Sequence, residues 1–464
     1  MDRRELLKSL GLSVGALAVG SETFGRRLNE NTFEYTLPKN EAHKTPAKPI
    51  TAITLGAGSR GTVYGNFADK FPEQVKIVGV ADPNEYRRNA YQKKHSIPDA
   101  QCYTSWEEVL KKPKMADTVI ISMPDHLHYK PALAALQKGY DILLEKPIAQ
   151  TEQECLDILA MAKKTGRIVA VCHVLRYAPY FVKMKELIQQ KAIGDVISIQ
   201  HFEPIEHVHM SHSYVRGIWH NSKASTPIIL AKSCHDLDII KWMIEKPCKR
   251  IVAMGDLKWF TKANAPEGST ARCTDGCKVE RECPYSAIKI YKERKRSPFV
   301  FDLPADKSLH DAVMTERLKT TNYGRCVYRM ENDQPDHYIT SIEFEGNITA
   351  NFSMEAFTSY HGRRTRVMGS MGDMVGDMNE LVVTDFRTRK SVTLTPKAED
   401  VEGYKNSGHG GGDWLLMRDF VQAVSQQNAK LLTTTIEDSI ESHVMGFRAE
   451  RSRLSGKVIN IQTV

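Results

Sequence analysis

Thr51-Ala52-Ile53-Thr54-Leu55-Gly56-Ala57-Gly58-Ser59-Arg60-Gly61 decides the architecture of this chain. A β-branched, apolar run is a strand, and it leads directly into G-x-G-x-x-G and then a helical pattern. Gly56 permits the tight turn, Gly58 removes a side chain where a pyrophosphate must approach the backbone, and Gly61 lets helix and strand pack closely. The helix that opens at Ser59 and Arg60 then turns its N-terminus toward the phosphates. A second strand, Val75–Ala81, ends in Asp82 about twenty residues after the last glycine, where a carboxylate can hold both ribose hydroxyls. That favours NAD, although Arg60, Arg87 and Arg88 leave NADP open by offering partners for a 2′-phosphate. Further strands over 118–122 and 141–144 alternate with helices, as a doubly wound parallel sheet requires, and the Rossmann unit is expected over 49–170.

The later strands of that unit run into Met123-Pro124-Asp125-His126-Leu127-His128 and Glu145-Lys146-Pro147. Ligands of open α/β sheets lie beyond the carboxyl ends of the strands, so Pro124, His126, His128, Glu145 and Lys146 are expected beside the nicotinamide. From about residue 50 onward the chain resembles the glucose-fructose oxidoreductase, inositol dehydrogenase and rhizopine catabolism family, Gfo/Idh/MocA. The glycine motif, the Glu-Lys-Pro and the segment Ile228-Ile229-Leu230-Ala231-Lys232-Ser233-Cys234-His235 carry the resemblance. It implies catalytic roles for Lys146 and His235. It also implies a Rossmann domain followed by a C-terminal α+β domain with a large open, mainly antiparallel sheet, over 171–464. Members with a simple dehydrogenase site commonly have an aspartate four residues before the histidine. Here that residue is Ala231, and Lys232 is the candidate to take over part of the role.

The chemistry agrees with the implied roles. Oxidising a secondary alcohol requires a group to receive the hydroxyl proton as hydride leaves the carbon, and Lys146 or His235 can do so. A lysine before proline at a strand end is otherwise a surface cation, and that is the alternative for Lys146. Between these segments, Glu206 to His220 mixes histidines with aromatics, the combination a sugar needs for hydroxyl contacts and ring stacking. His212, Tyr214, Arg216 and Trp219 are therefore candidate substrate contacts, the alternatives being a histidine metal site or a plain loop. Family members carry an element comparable to Gly408-His409-Gly410-Gly411, so His409 and Asp413 are expected to close the site; a loop ending in an aspartate helix cap fits the same letters. After about residue 171, alternating runs such as 337–344 and 364–368 fit a sheet with one buried face.

Three cysteines, Cys273, Cys277 and Cys283, fall within eleven residues of a charge-rich insertion over about 265–330, and Cys326 can supply a fourth sulfur. Such density suggests structural zinc, an iron-sulfur cluster or disulfides, since the segment has little apolar material to fold around. A formal charge of +8 on 464 residues, with both signs interleaved, gives no basic face for nucleic acid. No apolar run is long enough to span a membrane. Arg3-Arg4 before a short, weakly apolar stretch resembles a twin-arginine export signal, with 1–48 as signal and linker and the periplasm as destination; an amphipathic helix is the alternative. An exported enzyme has no free nicotinamide pool, so the cofactor is expected to be tightly held. The expected activity is hydride transfer on a sugar, glycoside or polyol by a homo-oligomer. An NAD-dependent glycoside hydrolase acting by transient oxidation and a non-catalytic sugar-binding homologue are the alternatives.

Overall fold

The computed structural model describes residues 32–35, 44–294, 301–396 and 408–461. The proposed export segment lies outside the described residues. Strand β1 (Thr32–Tyr35) precedes a six-stranded sheet made of β2 (Ile50–Leu55), β3 (Val75–Ala81), β4 (Cys102–Tyr103), β5 (Thr118–Ile121), β6 (Asp141–Leu144) and β7 (Val169–Val171). Its order is β4-β3-β2-β5-β6-β7 and every pairing is parallel. Parallel strands need cover on both faces, and β5 and β6 are accordingly buried at every residue. Helices α1 (Ser59–Lys70), α2 (Glu85–His95), α3 (Tyr129–Gln137) and α4 (Glu152–Thr165) supply cover. Helix α4 starts at a reciprocal capping box between Thr151 and Glu154 and stops at left-handed Gly166.

After α5 (Pro179–Gln189) comes a second, ten-stranded sheet. Besides β1, its strands are β8 (Val196–Pro204), β9 (Cys248–Asp256), β10 (His337–Phe344), β11 (Thr349–Glu355), β12 (Arg364–Gly369), β13 (Gly372–Gly376), β14 (Leu381–Asp385), β15 (Lys390–Pro396) and β16 (Ile459–Asn460). The order is β1-β15-β14-β13-β12-β8-β11-β10-β9-β16, antiparallel except at β1/β15 and β8/β11. Alternation decides its faces: Tyr338, Thr340, Ile342 and Phe344 of β10 point inward, beneath α6 (Cys234–Ile244) and its neighbours. The opposite face leaves Ile197, Met254 and Ile339 exposed, the last two directly paired across β9 and β10.

The C-terminal segment returns to the first sheet. Leu415, Leu416, Met417 and Phe420 of α7 (Gly412–Ser425) share a core with Ile50, Ala52 and Tyr64. Ile436 and Ile440 of α8 (Ile436–Ser455) join the core of the other face with Ile53 and Leu55. Between the two helices, the Thr434 carbonyl accepts from Val171 N at 2.8 Å.

The insertion corrects the cysteine reading. All nine cysteines are free thiols, so no disulfide forms, and among the described residues no group of three His, Cys, Asp or Glu side chains is placed to hold a metal ion. Cys273, Cys277, Cys283 and Cys326 do line one small cavity together with Arg216. The segment folds without a cross-link because it does have apolar material: its Ile290, Tyr291, Phe301, Met314 and Leu318 form a small core together with Val208 from outside the insertion. Backbone bonds from Cys273 N to Gly324 O and from Cys326 N to Ala271 O close it. Among the described residues no helix is long and apolar enough to cross a membrane.

Candidate active site

Strand order reverses around β2, which lies between β3 and β5, so a crevice opens beyond the carboxyl ends of β2 and β5. Gly56 has φ +96°, and a Cβ there would sit 2.9 Å from the backbone of Ser122 and Met123. A Cβ on Gly61 would fall 2.1 Å from the Gly56 carbonyl oxygen. At Gly58 the situation is reversed: the nearest neighbour of an added Cβ is Arg87 Nη1, at 3.8 Å. Gly56 and Gly61 are required by the chain itself, whereas Gly58 leaves room for a ligand. The first turn of α1 carries no acidic residue, so its N–H dipoles stay uncompensated. Asp82 is buried and accepts from Ala57 N at 2.7 Å and Asn84 N at 2.8 Å, which fixes the glycine loop and leaves lone pairs for a ribose. The cradle fits a dinucleotide.

At the end of β6, Lys146 Nζ donates to the Ala231 carbonyl at 2.8 Å, bringing it to the start of α6 and His235. His235 is buried and its Nδ1 has no partner among the described residues. Its ring centre is 5.9 Å from that of His409 and 5.7 Å from that of His173, which is 5.1 Å from His443. Burial, then the charges of Lys146 and nearby groups, hold His235 well below the ordinary 6.5, so it is a neutral base. His443 accepts from Ile148 N at 3.1 Å and contacts Ser439 O through Nδ1, which steadies the turn after Lys146.

A charged brace stands behind these groups. Arg60 Nε is 2.5 Å from Glu145 Oε1 and its Nη2 is 2.7 Å from Asp413 Oδ1; Tyr64 also donates to Glu145. His409 Nδ1 lies 3.2 Å from both Asp413 oxygens. Burial opposes the charge on Asp413, but Arg60 and His409 outweigh it and pull the carboxyl down to about 2. Lys232 pairs with buried Glu203 at 3.1 Å; burial pulls its ammonium below the ordinary value despite that carboxylate.

Lys146, His235, His409 and Asp413 therefore come together, with Lys232 on the same short segment as His235. Other expected residues do not face this point. Arg60 and Glu145 are committed to each other rather than to a cofactor phosphate. His128 is buried between the carbonyls of Pro147, at 2.8 Å, and Met123, at 2.9 Å, where it ties two strand-end turns. Pro124 and His126 are exposed on the rim. The histidine-aromatic stretch is helical rather than a loop, with Met210–Arg216 in a wide π-turn, so residues two apart point to nearly opposite sides. His212 and Arg216 consequently turn toward the insertion. His212 stacks on Tyr323, and Arg216 donates to the carbonyls of Arg325 and Tyr285, both at 2.8 Å. Tyr214 faces the other way, toward Trp219. The sequence reading missed Glu203, His173 and His443; Glu203, near the end of β8, and His173, just beyond β7, stood at strand ends where the signal was available.

Fold and site together define a two-domain, nicotinamide-dependent oxidoreductase. The family model described as oxidoreductase family, NAD-binding Rossmann fold, matches residues 50–173, and that of the oxidoreductase family C-terminal alpha/beta domain matches 185–461. The protein belongs to the Gfo/Idh/MocA family. It is 25% identical to YteT of Bacillus subtilis (strain 168), named as an oxidoreductase, over 76% of this chain and 83% of that protein. It is 30% identical to inositol 2-dehydrogenase 1 of Saccharopolyspora erythraea over 29% of this chain, which spans 37% of that relative. Among solved structures, levoglucosan dehydrogenase in complex with NADH and L-sorbose superposes with a TM-score of 0.66 at 15% identity, covering 90% of this chain and all of that one. An inositol dehydrogenase homologue from Azotobacter vinelandii, complexed with NADH and myo-inositol, gives 0.63 at 16%, with the same coverage.

Proposed function

We propose that the protein transfers hydride between a nicotinamide and a ring hydroxyl or ketone of a sugar, glycoside or polyol. The observation that carries this is the convergence of Lys146 and neutral His235 at the carboxyl end of β6, beside the glycine cradle. The dinucleotide, held by the Gly56–Gly61 turn and Asp82, supplies the two-electron acceptor at carbon when bound. Lys146 Nζ hydrogen-bonds the substrate oxygen and so aligns the C–H bond. His235 takes the hydroxyl proton and returns it in the reduction direction. His409 and Asp413 stand next to His235 and offer the proton a way onward. The relatives named for inositol, and the solved neighbours holding L-sorbose or myo-inositol, support the polyol class.

We further place the protein outside the cytoplasm with a resident cofactor, on the strength of Arg3-Arg4, and as a homo-oligomer paired through the exposed Ile197, Met254 and Ile339 face. Native mass spectrometry of full-length protein, followed by anaerobic incubation with a panel of sugars and polyols, tests the reading. Bound dinucleotide that becomes reduced by one class of substrate supports it. Release of free monosaccharide from a synthetic glycoside with no net reduction supports transient-oxidation hydrolysis instead. Ligand binding that is indifferent to Lys146→Ala supports a non-catalytic role.

A further inference from the structure

The insertion that failed to show a cross-link does something else: it reaches the dinucleotide crevice. Asp302, within the 265–330 segment of the second domain, accepts from Arg87 Nε at 3.0 and 3.1 Å through its two oxygens. The same carboxylate accepts from Asn84 Nδ2 at 3.1 Å, and the next residue's carbonyl, Leu303 O, accepts from Tyr86 OH at 2.7 Å. Three side chains at the start of α2 are thus held by two consecutive residues of the insertion.

Their position gives the contact meaning. Arg87 Nη1 is the atom nearest the open side of Gly58, where the diphosphate passes, and Asn84 donates its backbone N–H to Asp82, the ribose-side carboxylate. Arg87 is thus the guanidinium placed to greet a phosphate on the ribose 2′ position. Arg88 is turned away, donating to the Asp82 carbonyl at 2.7 Å, and Arg60 is bound in the brace with Glu145 and Asp413. A 2′-phosphate would have to share or displace a carboxylate that already engages the guanidinium through both oxygens, and it would meet that carboxylate's negative charge.

We propose that Asp302 is a specificity residue that makes this crevice select NAD over NADP, by occupying Arg87 from the second domain. The inference rests on the nicotinamide reading above. Asp302 touches no reacting atom and acts through Arg87.

The test is cofactor binding to the full chain, measured by calorimetry with NAD⁺ and NADP⁺ on wild type, Asp302→Asn, Arg87→Ala and the double variant. Asp302→Asn keeps the shape and the acceptor for Asn84 while removing the charge. Wild type should bind NAD⁺ more tightly, and Asp302→Asn should shift the NADP⁺ to NAD⁺ affinity ratio toward NADP⁺ by about tenfold. That gain should vanish in the double variant, which lacks the freed guanidinium. A purely structural clasp would weaken both cofactors in parallel and leave the ratio unmoved, which overturns the proposal. Wild type that already prefers NADP⁺, or a gain that survives Arg87→Ala, also overturns it while leaving hydride transfer intact. Wild type that neither carries a dinucleotide as purified nor binds either one after being stripped of it overturns the nicotinamide reading itself.

Discussion

Lys146 crosses from the first domain to donate its Nζ hydrogen to the backbone carbonyl of Ala231 in the second, at 2.8 Å. Residue 231 has no polar side chain to do this, and its main chain orients the lysine. Lys146→Ala should reduce turnover by roughly 10²- to 10⁴-fold and leave bound dinucleotide unchanged by mass spectrometry. Lys146→Arg should not restore it, because a planar guanidinium cannot keep the same single contact. Turnover within threefold of wild type in either variant would remove Lys146 from the chemistry.

His235 must be neutral to accept a proton. Burial and its cationic neighbours depress it well below 6.5, so the base form persists on the acid side and is lost only as pH falls through the depressed value. The acid limb of kcat/KM should therefore lie well below pH 6.5. His235→Gln should remove that limb and most of the rate, as a pH-rate profile of both proteins would reveal.

His443 is brought down to about 3 by burial first, then by His173. The unfolded chain therefore binds the proton first as pH drops below 6.5, and folding stability declines from there until about pH 3. The slope from this group is about 1.4 kcal/mol per pH unit. His443→Gln should flatten the loss between pH 7 and pH 5 in urea unfolding; an unchanged slope would exclude the assignment.

Asp413, at about 2 against an ordinary 3.8, works the other way round. Its contribution is complete above the unfolded value and disappears as pH falls through 2. At neutral pH, Asp413→Asn leaves Arg60 with a single carboxylate and should cost about 3 kcal/mol. It should also free His409. Thermal unfolding and substrate KM would both register the change, and an unaltered KM would detach the brace from the site.

The first sheet was legible because each strand, glycine and carboxylate there answers to a local rule. Gly56, Gly61 and Asp82 stand where the motif spacing puts them. The Arg60 brace was not legible, since Glu145 and Asp413 are 268 residues apart and only folding makes them neighbours. Arg216 and His212 misled for a different reason: residue type announced a sugar contact, but the π-turn carried both to the far side. The cysteine cluster misled because Tyr291, Phe301 and Leu318, scattered among charges, did not read as a core.

Helices α7 and α8 have a consequence for synthesis. They complete opposite faces of the first sheet, yet the first of them begins some 240 residues after that sheet's last strand. A nascent chain that has finished β2 to β7 still lacks the helix that packs on β2 from one side and the helix that packs on β7 from the other, and it stays so for some 240 residues of translation. The order in which the ribosome delivers this protein is therefore not the order in which it can mature. The first of these two domains to be written cannot close until the second has been made.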